Sequence, residues 1–210
     1  MRKTRLTDVM QSASLDDCIQ QSHQLAAMVA REYRPDCVVA ILDGGVLPAM
    51  IIAEELGLAH RLFGIRVKRR RDIEQAYRLL PAPVAGLVHA AYYVFSRPVV
   101  EKKGLEIVSS QALVVDDRAD TESSLRAAVE HLDRHCGIRS VRTAVLSWLG
   151  KWPPKMPPNF HVHKGMLKLP WSARSAEENP DYHADFCKFI QRHVAYLVSR
   201  GIIIGKLADP

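Results

Sequence analysis

Cysteine is scarce: Cys18, Cys37, Cys136 and Cys187 are the four in 210 residues. None stands in a C-x-x-C pair and no paired histidines lie at ligand spacing. A zinc site and a disulfide framework are thereby excluded, which leaves buried free thiols. Long apolar runs are lacking as well. The longest, around residues 38–42 and 202–204, are strand-sized, far short of the roughly 20 residues a membrane-spanning helix needs, so no membrane partner is expected. The opening M-R-K-T-R-L-T-D-V-M has charges with no apolar core behind them, unlike a secretory leader, and a cytoplasmic location is the expectation. Aromatic residues make up only 7% of the chain, and none interleaves the densest basic run, Lys68-Arg69-Arg70-Arg71. Without a stacking platform that run is a weak nucleic-acid signal, and nucleic acid is the less favoured partner. Acids are in deficit too. A formal net charge of +6 gives a positive field that attracts phosphate-rich ligands.

What is present fits one domain of 1–210 with a single full-sized core and a small appended lobe. Leu15, Cys18, Ile19, Leu25, Met28, Val29 and Tyr33 recur at three, four and seven, predicting an amphipathic helix over 15–33 with Ser14 and Asp16 at its start and the Arg34-Pro35 step at its end. Residues 36–42, D-C-V-V-A-I-L, are a continuous apolar run too short for a helix. They read as a strand buried on both faces, hence part of a parallel sheet. That strand empties into Asp43-Gly44-Gly45-Val46-Leu47-Pro48-Ala49, and residues 50–56 continue as a helix closed by Gly57. Glycine pairs between a strand and a helix expose backbone N–H groups to a ligand, although a simple tight turn fits as well. A further strand is predicted over 61–67, running into the basic residues.

The central stretch is Q-A-L-V-V-D-D-R-A-D-T-E-S-S-L-R, residues 111–126. An apolar strand ends in two adjacent carboxylates, Asp116 and Asp117. After a polar turn comes a helix over 123–135, marked by Leu125, Ala128, Val129 and Leu132 and stopped by Gly137. Two carboxylates at a strand end suit a sugar diol or a divalent metal, and a Thr/Ser turn at a helix N-terminus suits a phosphate. Residues 141–149 form another buried strand, ending in Gly150-Lys151-Trp152-Pro153-Pro154. Four of the chain's twelve prolines fall in 153–158, an irregular connection.

V-V-D-D-R-A-D-T-E-S-S resembles the phosphoribosyl diphosphate (PRPP) binding motif of type I phosphoribosyltransferases, matching at Asp116, Asp117, Asp120, Thr121 and Ser124. Gly44-Gly45 resembles the diphosphate loop of the xanthine and hypoxanthine enzymes, and Lys151 stands where they place a lysine on a 6-oxopurine. Pro170-Trp171 is similar to the end of their hood over the base. The resemblance implies an α/β fold: a central, mostly parallel twisted sheet with helices on both faces and a small hood. Its core would span about 14–150, an insert about 68–110, the hood about 152–172 and a closing helix about 181–199.

The resemblance also implies roles. PRPP would be held by Asp116, Asp117, Ala119, Asp120, Thr121, Glu122, Ser123 and Ser124, with Asp116 and Asp117 on the ribose hydroxyls directly or through Mg²⁺. Asp120 would be the general base; Asp43, Gly44, Gly45, Lys68 and Arg69 would receive diphosphate; Lys151, Met166 and Leu167 would meet a nucleobase. The insert would close the site or join two subunits, and a homodimer is the family habit. Three positions depart from the family: Asp43 where relatives have a base, Met166 where an aromatic stacks, and Glu122 where the loop has glycine. A carboxylate about 5 Å from a phosphate dianion costs on the order of several kcal/mol at an effective dielectric near 20, unless Glu122 swings out to pair with Arg118 or Arg126. Two functions follow: transfer of ribose 5-phosphate to a purine-like base, or a catalytically degenerate relative serving as a regulatory, nucleotide-sensing or nucleic-acid-binding subunit.

Overall fold

The computed structural model describes residues 11–42, 44–68, 98–100, 107–150 and 156–172, together with Ala184, Lys188 and Arg192. In chain order the elements are β1 (Gln11–Ser12), α1 (Leu15–Glu32), β2 (Cys37–Leu42), α2 (Val46–Glu55), a 3-10 turn (Ala59–Arg61), β3 (Leu62–Lys68), β4 (Val99–Val100), β5 (Gln111–Ala119), α3 (Ser123–Cys136), β6 (Ser140–Trp148), β7 (Phe160–Lys164) and β8 (Leu167–Lys168). Among the described residues no helix is long and apolar enough to cross a membrane.

The main sheet has six strands in the order β4-β3-β2-β5-β6-β7. Every neighbouring pair is parallel except β3 with β4. The continuous apolar runs become the two central strands: Cys37, Val38 and Val39 of β2 and Ala112 through Val115 of β5 are fully buried. Alternate residues feed two cores. Val38, Ala40, Leu113, Val115, Ala144 and Leu146 pack beneath α1 and α2, and Cys37, Val39, Ile41, Ala112, Val114 and Val145 pack beneath α3. Helices on both faces follow from this two-sided burial.

Local chemistry sets the boundaries. Ser14 caps α1 by accepting from Asp17 N at 3.1 Å, while Asp17 Oδ2 accepts from Ser14 N at 2.9 Å. The far end of α1 is moored by Tyr33, whose hydroxyl donates to Ser140 O at 2.9 Å or Ala112 O at 3.2 Å. Gly137, left-handed at φ 69°, ends α3. Helix α2 starts at Val46 rather than at the expected residue 50. Pro48 is no obstacle, since it lies in the first turn, where its missing N–H has no helical partner.

One strand is placed differently from expectation. Phe160–Lys164, read as part of the hood, is the outer strand of the main sheet, pairing with β6 at Ala144↔Phe160 through Trp148↔Lys164. Phe160 is 2% exposed and belongs to the core, which explains the preference. What covers the sheet end is smaller: β8 pairs with β1 in a separate parallel ribbon, Gln11↔Leu167 and Ser12↔Lys168. Ala184, Lys188 and Arg192 are helical and exposed, at the four-residue spacing of one polar face. The rest of the closing helix expected over about 181–199 lies outside the described residues, as do residues 193–210 and most of the insert.

The order of the sheet also locates a crevice. From β2 the chain moves outward to β3 on one side and returns to β5 on the other, so the direction of winding reverses between β2 and β5. In open α/β sheets ligands bind outside the carboxyl ends of the strands at such a reversal. The residues there are Gly44, Gly45 and the acids from Asp116 onward.

Candidate functional site

Strand β5 runs buried through Val115 and then reaches Asp116, which is only 7% exposed. Across from it the two glycines make room. A Cβ on Gly44 would stand 2.2 Å from Asp117 Oδ2, and one on Gly45 would stand 2.5 Å from Val115 O and 2.7 Å from Ile41 O. Backbone neighbours make glycine necessary at Gly45, whereas at Gly44 the neighbour is a side chain that can move; at Gly45 the dihedrals, φ −72° and ψ −5°, are ones any residue adopts. Asp117 Oδ2 also accepts from Trp171 Nε1 at 2.6 Å, which ties the last described turn to the strand end. Asp116 Oδ1 accepts from Asp117 N at 2.9 Å.

Burial raises the pKa of both carboxyls, and Asp116, further opposed by the charge of Asp117, lies well above the usual range. The hydrogen bond from Trp171 Nε1 pulls Asp117 the other way, against the effect of its burial. Adjacent carboxyls, one buried and one half-buried, are an oxygen-only donor set of the kind Mg²⁺ takes, so the residues fit that ion. Among the described residues no group of three or more His, Cys, Asp or Glu gathers as ligands. The remaining ligands would therefore be substrate oxygens and water, as is usual for Mg²⁺.

Beyond the acids the loop turns into α3. Residues 116–125 line a cavity of about 170 Å³, so every residue expected to hold PRPP borders the same space. Thr121 Oγ1 lies 2.9 Å from Ser123 Oγ. The first N–H groups of α3 have no helical acceptor, and the positive end of its dipole points here. Arg118 Nε stands 3.0 Å from Asp120 Oδ1 and its Nη1 reaches Leu167 O at 3.5 Å, so Asp120 is held at the rim.

Glu122 takes the conformation that glycine takes most easily: φ 56°, ψ 3°, the left-handed region, alone among the described non-glycine residues. Such a residue costs about 1–2 kcal/mol. Its carboxylate is 6% exposed and accepts from Trp148 Nε1 at 2.9 Å through Oε1 and from Met156 N at 3.3 Å through Oε2. Hydrogen bonds to a charged acceptor contribute about 1.5–3 kcal/mol each, more than the strain. The outward swing to pair with Arg118 or Arg126 thus gives way to inward contacts. Arg118 goes to Asp120, and Glu122 turns to donors on β6 and the chain after it.

A model of the phosphoribosyl transferase domain matches residues 11–196 of the chain. The chain belongs to the phosphoribosyltransferase family. Solved structures share the fold: a purine phosphoribosyltransferase from Pyrococcus horikoshii at 21% identity and TM-score 0.57, covering 77% of this chain and 92% of that one; a xanthine-guanine-hypoxanthine phosphoribosyltransferase from Helicobacter pylori at 15% and 0.57, covering 81% and 99%; and a hypothetical protein from Neisseria gonorrhoeae with bound ppGpp at 16% and 0.54, covering 84% and 97%. No curated protein matches the chain.

Other expected positions of this phosphoribosyltransferase domain are less complete. Lys68 ends β3 on the same sheet edge as Gly44, but its side chain lies outside the described residues, and so do Asp43, Arg69 and Lys151. Met166 is half-buried beside β8. Leu167 sends its side chain into the core at 1% exposure, leaving only its backbone to face a ligand, and its carbonyl already meets Arg118. Trp148 was not singled out as a site residue, and Trp171 only as part of the hood. No local pattern announces either, because their acid partners stand 26 and 54 positions away.

Proposed function

We propose that the chain transfers ribose 5-phosphate from PRPP to a purine-like base and releases diphosphate. One observation carries this reading. At the reversal of the sheet, a cavity bordered by Asp116 through Leu125 joins the buried carboxyl of Asp116 and the half-buried carboxyl of Asp117 to the N-terminus of α3. Few ligands need a diol or metal site and a phosphate cradle so close together. The left-handed turn at Glu122 supports it too, since the loop has there the conformation that glycine, the residue of the family motif, adopts most easily.

In the reaction the bond from C1 of the ribose to diphosphate breaks and a bond from C1 to a base nitrogen forms. The base gives up a proton, for which Asp120, beside Arg118 at the rim, is the proposed acceptor. The α3 N-terminus with Thr121 and Ser124 holds the 5-phosphate still. Asp116 and Asp117 bind the ribose hydroxyls, directly or through Mg²⁺, and the metal, when bound, supplies positive charge to the leaving diphosphate. Gly44 and Gly45 let that group approach the backbone. The purine-like base rests on the resemblance at Lys151 and on the names of the Pyrococcus and Helicobacter proteins.

Calorimetry with PRPP, with and without Mg²⁺, tests the reading. Mg²⁺-dependent binding is expected. No binding of PRPP or of a purine 5′-monophosphate refutes it. A second reading, nucleotide sensing without turnover, draws on Glu122 beside the phosphate cavity and on Asp117 being taken by Trp171; a protein of this fold carries ppGpp. Nucleotide binding with no release of diphosphate from PRPP in the presence of hypoxanthine, guanine or xanthine would favour it.

A further inference from the structure

The carboxyl of Asp117 is held from two sides. On one side stands Gly44, so close that a Cβ there would lie 2.4 Å from Asp117 Cγ and 2.8 Å from Oδ1. On the other, Trp171 Nε1 donates to Oδ2 at 2.6 Å. The indole belongs to an anchored turn. Leu167 and Leu169 bury their side chains, Ser172 N donates to Leu169 O at 3.0 Å, and Ala13 N donates to Lys168 O at 2.9 Å. Trp171 itself packs against the core beneath α1 and α2. A second tie, from Arg118 Nη1 to Leu167 O at 3.5 Å, joins the same segment to the strand end that carries the acids.

From this geometry we propose that Trp171 is a positioning residue: its N–H fixes the orientation in which the Asp117 carboxyl meets a divalent cation. The inference rests on the transferase reading above and deepens it, giving a role in the cation site to a tryptophan 54 positions from its acid. A carboxylate that binds a metal is itself held by outer hydrogen bonds, and those partners set how well the ion is bound. Here the donor is rigid. A half-buried aromatic packed on the core has little freedom to follow a carboxylate that rotates, so the carboxylate stays where the indole meets it. Trp171 acts through Asp117.

Trp171→Phe and Trp171→His test this in the full chain. Phenylalanine keeps a ring packed on the core and loses the N–H. Histidine loses the six-membered ring but brings its Nε2 to the place of the indole Nε1, since the two five-membered rings share their geometry. Calorimetry with PRPP at a series of Mg²⁺ concentrations gives the Mg²⁺ needed for half-maximal binding. That concentration is expected to rise about tenfold in Trp171→Phe, the usual lower bound for loss of an outer partner, and to stay closer to wild type in Trp171→His. Thermal unfolding should rank the two variants the other way, because histidine leaves the larger cavity. In an Asp117→Asn background, Trp171→Phe should change the Mg²⁺ requirement little further. An unchanged requirement in Trp171→Phe, or one that follows Tm across the two variants, overturns the positioning role and leaves the transferase reading intact. So does a lower requirement, which would make the indole a competitor of the cation, and so does PRPP binding that is independent of Mg²⁺. Wild-type protein that binds no PRPP at all sinks the transferase reading, and the positioning role with it.

Discussion

Replacing Gly45 with alanine adds one methyl group between β2 and α2 and separates two opposing effects by sign. Backbone propensity favours the change. At φ −72° and ψ −5° alanine fits without strain, and a Gly→Ala change at a compatible site stabilises by about 0.4–1 kcal/mol through the unfolded chain. Packing opposes it. The new Cβ would stand 2.5 Å from Val115 O, 2.7 Å from Ile41 O and 2.9 Å from Asp116 Cα. All three are backbone atoms of the two central strands, so no side chain can rotate away and β2 must part from β5 or α2 must lift. Overpacking of this kind costs about 1–3 kcal/mol, and rigid backbone neighbours put it at the upper end. For a chain of this length about 3 kcal/mol lowers Tm by about 6–12 °C. Gly44→Ala makes the control, because its Cβ meets only the Asp117 side chain, at 2.2 Å from Oδ2. That carboxylate can move, losing its bond to Trp171, so Gly44→Ala should keep most of the stability and lose PRPP affinity. Thermal unfolding followed by circular dichroism decides between the effects. A Tm for Gly45→Ala equal to or above wild type would show that the two strands do not crowd this residue and would refute the reasoning.

Two further perturbations have definite signs. Asp116 has a folded pKa well above its ordinary 3.8, so folding favours its protonated form; stability falls as pH rises from about 4 to the folded pKa and stays reduced above it. Asp116→Asn should therefore be more stable than wild type at neutral pH and equal to it near pH 3.5, while losing Mg²⁺-dependent PRPP binding. Tm against pH for the two proteins measures this, and the opposite slope from Asp36, held low by Ser110 and then Gln111, is common to both and cancels. Tyr33→Phe removes the hydroxyl that reaches Ser140 O and Ala112 O at the opposite end of the sheet, costing about 1 kcal/mol and about 2–4 °C with PRPP binding unchanged. A loss of PRPP affinity in that variant would contradict the separation of the two ends.

Much of the architecture was legible because it is written locally. The runs at 37–42 and 112–115 are too short and too apolar for anything but two-sided strands, and Ser14 and Gly137 punctuate their helices within a few residues. The acids and the Thr/Ser turn mark the site for the same reason: a strand end and a helix start are adjacent in sequence. What escaped is non-local. Phe160–Lys164 has a composition that suits either hood or sheet, and only the vacant edge of β6 decides it. Glu122 looked like an obstacle because its donors, Trp148 and Met156, come from another strand and the chain after it. Asp117 and Trp171 were each legible, but their bond was not, since nothing near either residue points to the other.

The ribbon of β1 and β8 bears on the order in which the site is assembled. Its two strands come from nearly opposite ends of the described chain, Gln11 beside Leu167 and Ser12 beside Lys168. The strand-turn-helix that forms the phosphate cavity, by contrast, is a contiguous piece that can take shape as soon as β2 and β6 flank it. Contacts so distant along the chain carry the largest closure cost and form late. The loop at residues 116–125 can therefore take shape before its cover, since residues 11–12 gain their strand partner only when residues 167–168 are in place.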